Sequence, residues 1–324
     1  MKRKREHENA SKAQQWRTEA KACLWRHLLK DLLPLVLEYA AELHLDNATR
    51  RFLCERKNKE NVDGEFSRVR QMQLVQDELF VLDRARNNIQ VFHYPTGRFL
   101  RKRCDPLQGY LQGGFAADPA KQIMYYSSTG DNISACALSD FRQTQTWKNT
   151  MPISHLYDSN SMCLLGNVLY VKSFRCAMIS RISVDNGEFL GSIYYSSREL
   201  RFAEAFTGMT LSDDAQQILI PNWDTCGLDS IDTKDHKILQ NAYVIPGRLF
   251  RPCHSIFHGS HVTISTAEED KTHNQIFTLD RHSGQEVPGS HIDFDGYATC
   301  MVVCPKSHEL IVYDESHRRL VVFF

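Results

Sequence analysis

The chain has 324 residues, with 39 Lys and Arg against 39 Asp and Glu, so it carries no net charge at neutral pH. Residues 1–60 hold 14 of the basic and 9 of the acidic residues, which leaves 25 basic against 30 acidic for the remainder. This mildly acidic remainder argues against phosphate-backbone binding by residues 61–324. The longest apolar stretch, 32–41, is too short and too interrupted to span a bilayer. The ten cysteines are scattered without CxxC spacing, which indicates reduced thiols in a cytoplasmic or nuclear protein.

The N-terminal region divides into two segments. Residues 1–15 open with KRKR and contain few apolar residues, which predicts a basic, disordered tail of the kind that serves as a nuclear address or a weak nucleic-acid contact. Residues 16–48 carry leucines at three- and four-residue spacing, which predicts a helical segment that is kinked or restarted at Pro34. These helices either cover the rest of the protein or recruit a second partner. The sequence LLPLVLEYA resembles the start of an F-box, and this resemblance implies a substrate adaptor of a ubiquitin ligase.

A repeated unit begins at residue 77. The stretch DELFVLDRARNNIQVFHYPTGRFLRKR (77–103) contains three short apolar runs separated by turn residues, which predicts a three-stranded meander. The chain ends in ELIVYDESHRRLVVFF, which aligns without a gap on ELFVLDRARNNIQVFH, so that Asp314 falls on Asp83, 231 residues earlier. Five steps of about 46 residues fit this distance, and that period is typical of one four-stranded propeller blade.

Weaker copies of the unit fill the interval. They begin near 123, 168, 218 and 262, and the last of these has an insertion within 267–275 that we expect in an exposed loop. Six repeats predict an all-β fold, a six-bladed β-propeller over residues 49–324, preceded by the α-helical extension. The final repeat ends after its third strand, and TRRFLCER (49–56) copies the missing fourth, TGRFLRKR. We therefore predict that an N-terminal strand at 50–56 closes the ring, and that 65–75 forms the innermost strand of the first blade.

Two known repeat families have similar sequences. The segments IQVF and HRRLVVF, each shortly after an Asp, resemble the NHL-type six-bladed repeat, and His317 and Arg318 fall where that family has its His and Arg. The stretch GMTLSDDAQQILIPN (208–222) resembles the repeat of SMP-30 and gluconolactonase-type lactonases. That resemblance implies a divalent cation near the axis, to which Asn222 and Asp224 could contribute ligands. The sequence offers no complete ligand set, so we predict neither a metal nor another cofactor.

The turns between second and third strands gather on one face of a propeller, where partners dock. Here they are rich in charge and include a Trp, a combination that is favoured at protein interfaces. The candidate partner-binding residues are Arg84, Arg86, Arg175, Trp223, Asp224, His317 and Arg318. We expect Asp83 and Asp314 to accept backbone hydrogen bonds within their own turns. The histidines in CHSIFHGSH (253–261) lack a second ligand cluster and are interpreted as ordinary polar residues rather than zinc ligands.

No catalytic motif accompanies the repeats, since GxSxG, Walker, GxGxxG and HExxH patterns are absent from the sequence. The sequence therefore favours a non-enzymatic scaffold that recognises a protein partner through a propeller face. Residues 16–48 are available to a second partner, no membrane contact is expected, and nucleic acid would bind only weakly through the basic tail. Two alternatives stay open, the F-box-like adaptor and a metal-dependent hydrolase of the lactonase type.

Overall fold

A computed structural model describes residues 50–54, 64–104, 114–128, 132–147, 159–173, 178–194, 208–222, 225–244, 251–267, 274–294 and 296–323. All of them belong to one unit of the chain, Ala48–Phe324. The predicted tail (1–15) and helical segment (16–48) lie outside these ranges. Every regular element in the described ranges is a strand, and no helix there is long and apolar enough to cross a membrane.

The strands hydrogen-bond into six four-stranded antiparallel sheets in the described part of the chain. The first strand is β1 (Arg50–Cys54). Blade 1 consists of β2 (Val69–Val75), β3 (Glu78–Asp83), β4 (Asn88–His93) and β5 (Arg98–Cys104). Blade 2 consists of β6 (Phe115–Asp118), β7 (Ile123–Ser128), β8 (Asn132–Ala137) and β9 (Gln143–Trp147). Blade 3 consists of β10 (Ser159–Leu165), β11 (Val168–Ser173), β12 (Met178–Ser183) and β13 (Phe189–Tyr194).

The remaining three sheets follow the same order. Blade 4 consists of β14 (Thr210–Leu211), β15 (Gln217–Asn222), β16 (Gly227–Asp232) and β17 (Ile238–Val244). Blade 5 consists of β18 (Arg251–His258), β19 (His261–Ala267), β20 (Asn274–Asp280) and β21 (Ile292–Phe294). The sixth sheet, blade 6, contains β22 (Ala298–Val303), β23 (Leu310–Asp314) and β24 (Arg319–Phe323), with β1 paired to β24.

The first strands of the blades contact one another in a circuit. Strand β2 contacts both β6 and β22, β10 contacts β6 and β14, and β18 contacts β14 and β22. The six sheets therefore surround one axis, each with its first strand innermost. This arrangement is a six-bladed β-propeller, and it confirms the architecture that the repeats predict.

Burial changes from the inner to the outer strands of a blade. The second and third strands have a neighbouring blade on either face, so they read as nearly continuous buried runs. In β3 (ELFVLD) every residue after Glu78 is buried, whereas in β9 (QTQTW) the four residues before Trp147 are exposed. This gradient explains why the sequence repeats are recognisable in second and third strands and obscure in fourth strands.

Apolar side chains fill the spaces between neighbouring blades. Between blades 6 and 1 the ring of Phe66 lies 5.3 Å from that of Phe92 and 5.9 Å from that of Tyr313, measured between centroids. Cys300 and Cys304 are both free thiols buried in this cluster. Comparable clusters lie between blades 1 and 2, 2 and 3, 3 and 4, and 4 and 5.

Polar contacts also join blade 6 to blade 1. The Tyr94 hydroxyl donates to Glu309, and Lys306 Nζ lies 2.9 Å from Asp77 Oδ1. The Tyr313 hydroxyl donates to the Ser67 carbonyl at 3.4 Å.

In the sixth sheet β1 is antiparallel to β24, with Arg50 opposite Phe323.

Register shifts recur near the start of the innermost strands. They fall between Val69 and Gln71, Ser159 and Ser161, Pro252 and His254, and Ala298 and Cys300, in blades 1, 3, 5 and 6. Such a bulge sets two residues against one on the partner strand and re-aims their side chains. Strand β2 begins at Val69, later than the predicted innermost strand 65–75, because the residues before it form the entry to the blade.

Candidate partner-binding face

The antiparallel order places alternate strand ends on opposite sides of the ring. One side, termed the connection face, receives the segments between blades and the turns between second and third strands. The fully described turns of this kind are 84–87 and 315–318, and the other four lie wholly or partly outside the described residues. The other side, the hairpin face, has tight turns such as 76–77 and 166–167. Ion pairs between Lys121 and Asp185 and between Arg281 and Asp214 join neighbouring blades there.

Asp83 fixes the first turn of the connection face. Its carboxylate is 0% exposed and accepts hydrogen bonds from the backbone N–H groups of Ser67 at 2.7 Å, Arg68 at 3.0 Å and Arg86 at 3.3 Å. The bond from Arg86 confirms the predicted contact within the turn. The other two bonds tie the entry segment of blade 1 to the same carboxylate, a role that the sequence did not reveal.

Asp314 has the equivalent position in blade 6. Its buried carboxylate accepts from His317 N at 3.2 Å and Arg319 Nε at 3.0 Å, and its Oδ2 lies 2.6 Å from His317 Nδ1. Gly296 packs directly on this group, because a Cβ there would lie 2.4 Å from Asp314 Oδ1 and its φ is +154°. Only glycine therefore fits beside this carboxylate.

Arg86 is held by neighbours in its own blade. Its Nη2 donates to Glu65 Oε2 at 3.0 Å, and its side chain is 19% exposed. Gln90 continues this network, since its Nε2 donates to the Glu65 carbonyl at 2.7 Å and its Oε1 accepts from Gly64 N at 3.0 Å. Arg86 thus anchors the entry segment of blade 1 to the turn.

The structure gathers the described candidate residues on two adjacent blades. Arg84 and Arg86 lie in the turn of blade 1, and His317 and Arg318 lie in the turn of blade 6. His317 is exposed, whereas Arg84 and Arg318 are partly buried. The other three candidates, Arg175, Trp223 and Asp224, lie outside the described residues, so their part in a shared surface stays a prediction.

Three residues beside these turns were missed by sequence reasoning. Arg68 and Arg70 flank Val69 at the entry to β2, and Glu315 follows Asp314. Glu315 Oε1 lies 3.7 Å from Arg68 Nε, which joins blade 6 to blade 1. The basic pattern of FSRVR (66–70) was the available signal, but its proximity to residues of the last repeat depends on ring geometry.

A second polar group lies in blades 3 to 5. Asn222 Nδ2 donates to Asp229 Oδ2 at 2.8 Å, and Asp229 Oδ1 accepts from Asn241 N at 2.9 Å. Burial lowers the pKa of Lys172 to about 7, although Asp229 opposes this shift. Burial and, to a smaller extent, Lys172 lower the pKa of His254 to about 4, so this imidazole is neutral at neutral pH.

The innermost strands enclose a central channel of about 270 Å³. Gln71 lies on its wall and joins three blades through its amide. Gln71 Nε2 donates to the carbonyls of Phe115 at 2.7 Å and Met162 at 3.0 Å, and its Oε1 accepts from Phe115 N at 3.0 Å. The channel is therefore spanned by hydrogen bonds between blades 1, 2 and 3.

His254 lines the same channel. Its Nδ1 is buried and has no hydrogen-bond partner within the described structure. Gly208 packs on the opposite nitrogen, because a Cβ there would lie 2.6 Å from His254 Nε2. Sequence reasoning missed this role because the bulge before His254 determines which side chains face the axis.

The described ranges contain no group of three His, Cys, Asp or Glu side chains placed to hold a metal ion. Asn222, one of the conceivable ligands, donates through its Nδ2 to Asp229 Oδ2. The predicted turn at 259–260 separates His258 from His261, and His258 Nε2 lies 3.0 Å from His308 Nδ1 on the hairpin face. The histidines of this segment are therefore distributed between two ends of the blade.

The six sheets and the channel that they share define the class of this protein, a six-bladed β-propeller. No family model matches the chain, and no curated protein is significantly similar to it in sequence. Solved structures do resemble it. The structure of U3-55K has a TM-score of 0.60 and 9% identity, over 85% of this chain and 98% of that chain.

Two further structures show the same likeness. The WD40 repeats of RRP9 have a TM-score of 0.60 and 9% identity, over 85% of this chain and 96% of that chain. Hydrazine synthase from Kuenenia stuttgartiensis has a TM-score of 0.57 and 15% identity, over 82% and 79% respectively. Identities this low establish a common propeller fold and nothing narrower.

Proposed function

We propose that this protein is a non-enzymatic scaffold that binds a protein partner through its connection face. The observation that carries the proposal is the pair of turns on blades 1 and 6, which are held by the buried carboxylates of Asp83 and Asp314. These turns present Arg84, His317 and Arg318 on a fixed backbone, and a preorganised surface loses less conformational entropy on binding. The fold shared with the WD40 repeats of RRP9 agrees with a recognition scaffold.

The proposal includes closure of the ring by β1. Support comes from its antiparallel pairing with β24, in which Arg51 lies opposite Val322 and Phe52 opposite Val321. With β1 paired to it, β24 would have no unpaired strand edge exposed to solvent. We expect the double variant R51P/F52P to lower the melting temperature of the full chain, whereas K57P, outside this strand, should not. Equal melting temperatures for all three proteins would contradict closure by β1.

The narrower interpretations stay predictions. The equivalent positions of Asp83 and Asp314 support an NHL-type repeat in the first and last blades. The adaptor hypothesis depends on residues 16–48, which lie outside the described residues. No observation favours the lactonase alternative. The free thiols of Cys136, Cys253 and Cys300 agree with a cytoplasmic or nuclear location.

Affinity capture with the full-length chain tests the proposed face. The variant R84E/R318E reverses two charges on the connection face, and R98E/K237E reverses two exposed charges on the hairpin face. We expect the first pair to reduce the recovery of a specific partner about tenfold, because charge reversal at an interface costs on the order of 1–2 kcal/mol. The second pair should leave recovery unchanged. The proposal would be contradicted if only the hairpin-face variant reduced the recovery of the partner, or if the chain captured no specific partner.

A further inference from the structure

Three guanidinium groups share the corner of the connection face where blade 1 meets blade 6. Arg68 and Arg70 enter β2, and Arg84 follows β3. The backbone holds the two segments together, since Arg84 N donates to the Arg68 carbonyl at 3.0 Å and Arg68 N donates to Asp83 Oδ1 at 3.0 Å. We refer to Arg68, Arg70 and Arg84 as the arginine corner.

The carboxylates near the arginine corner are mostly directed inward. Asp83 is fully buried and accepts three backbone hydrogen bonds, and Glu65 is buried against Arg86. Glu315 is nearer the surface, with its side chain 23% exposed, and faces an Arg68 side chain that is 43% exposed. Among the described residues of this corner, the Arg68 side chain is therefore more exposed than the carboxylate side chains around it.

The arginine corner is also electrostatically crowded. Burial first, then Arg68 and Arg84, lower the pKa of Arg70 to about 9, and Glu315 and Tyr297 only partly oppose them. A carboxylate that approaches this site would reduce the repulsion among the guanidinium groups. It would also interact strongly, because charge-assisted bonds between guanidinium and carboxylate are favourable at partly buried sites.

We propose that the arginine corner binds a short acidic segment of a partner protein through the Asp or Glu carboxylates of that segment. This inference rests on the proposed function, since it specifies the chemistry of the partner at the same face. The guanidinium geometry suits carboxylates, which accept paired N–H donors. The segment is short because the three guanidinium groups lie together at one corner of the face.

Nucleic acid fits this surface less well. A phosphate backbone extends over many charges, and residues 61–324 carry 25 basic against 30 acidic residues in total. The propeller therefore has no overall excess of basic residues for a long polyanion to follow, and Glu315 stands at the edge of the corner itself. A short acidic peptide can bind the three guanidinium groups without extending beyond the corner.

Binding of labelled peptides to the full-length chain tests the inference directly. Fluorescence anisotropy would compare a hexaglutamate peptide with a hexaglutamine peptide and with oligothymidylate. We expect the hexaglutamate peptide to bind, with an affinity that falls as salt rises, and the hexaglutamine peptide not to bind. R68Q and R84Q should each weaken the hexaglutamate complex about threefold to tenfold. R98Q removes an exposed arginine at the hairpin-face end of the same blade and should have no effect.

Three results would overturn the inference. These are equal binding of the hexaglutamine peptide, tighter binding of oligothymidylate, and unchanged hexaglutamate affinity in R68Q/R84Q when circular dichroism shows that the variant is folded. The capture experiment separates this inference from the proposed function. A partner that R84E/R318E loses but R68Q/R84Q retains would refute the acidic segment and leave the connection face as the binding surface.

Discussion

At the scale of single residues, His254 is the clearest case of burial that controls chemistry. It lies on the channel wall, its Nδ1 has no partner in the described structure, and its pKa is lowered to about 4 from 6.5. The folded protein therefore keeps this imidazole neutral under conditions in which the unfolded chain protonates it. Its neutral state is a property of the fold rather than of the local sequence.

This shift predicts acid sensitivity. Because the unfolded chain binds the proton near pH 6.5 and the folded protein only near pH 4, the free energy of unfolding should fall as pH decreases through this window. The loss due to His254 should approach about 3 kcal/mol at pH 4, at about 1.4 kcal/mol per pKa unit. Urea unfolding at several pH values would measure it. H254N should flatten the profile relative to the parent chain; parallel profiles for H254N and the parent would contradict the assignment.

The contact between Gly208 and His254 makes a second prediction at this scale. A Cβ at 208 would lie 2.6 Å from His254 Nε2, so G208A should destabilise the protein by about 2 kcal/mol through overpacking. In an H254A background the same substitution should cost far less, because the ring that it meets is absent. Unfolding free energies of the four proteins in this double-mutant cycle would test the contact. Equal costs in both backgrounds would show that the strain arises elsewhere.

At the scale of elements, the turn between β3 and β4 depends on Asp83. D83A would leave the N–H groups of Ser67, Arg68 and Arg86 without their acceptor, so we expect a loss of about 3 kcal/mol in unfolding free energy. D232A is a matched control on an exposed turn, where the carboxylate accepts from Lys234 N and Asp235 N. Water can replace Asp232 there, so its loss should be much smaller. Similar melting temperatures for the two variants would contradict the structural role of Asp83.

At the scale of the whole molecule, Gln71 couples three blades. Replacing it in Q71L removes hydrogen bonds to Phe115 and Met162 across the channel, and we expect a loss of about 3 kcal/mol. Q145L, on the exposed outer strand of blade 2, makes the same chemical change without such partners in the described structure. Thermal unfolding of both variants would measure the difference. A Q71L protein as stable as Q145L would show that the blades do not depend on this amide.

The sequence predicted the ring better than its surfaces. The second strands at Ile123, Val168 and Gln217 begin within a residue of the predicted repeats, because these strands are buried on both faces and keep a recognisable apolar pattern. The arginine corner and the contact of Gly208 with His254 were not predictable. The contact of Gly208 with His254 depends on which side chains the bulge turns toward the axis, and the arginine corner depends on blades 1 and 6 being neighbours. The spacing of residues along the sequence predicts neither of these.

The junction between the first and last blades has a consequence for how the chain folds. The contacts of Tyr94 with Glu309, Asp77 with Lys306 and Ser67 with Tyr313 join residues separated by 215, 229 and 246 positions. The apolar face of blade 1 that includes Phe66 is covered only when Tyr313 and its neighbours have been synthesised. During translation that face cannot make these contacts until blade 6 has emerged. Ring assembly should therefore be the slow step of folding, and the stage at which a nascent chain is most prone to aggregate.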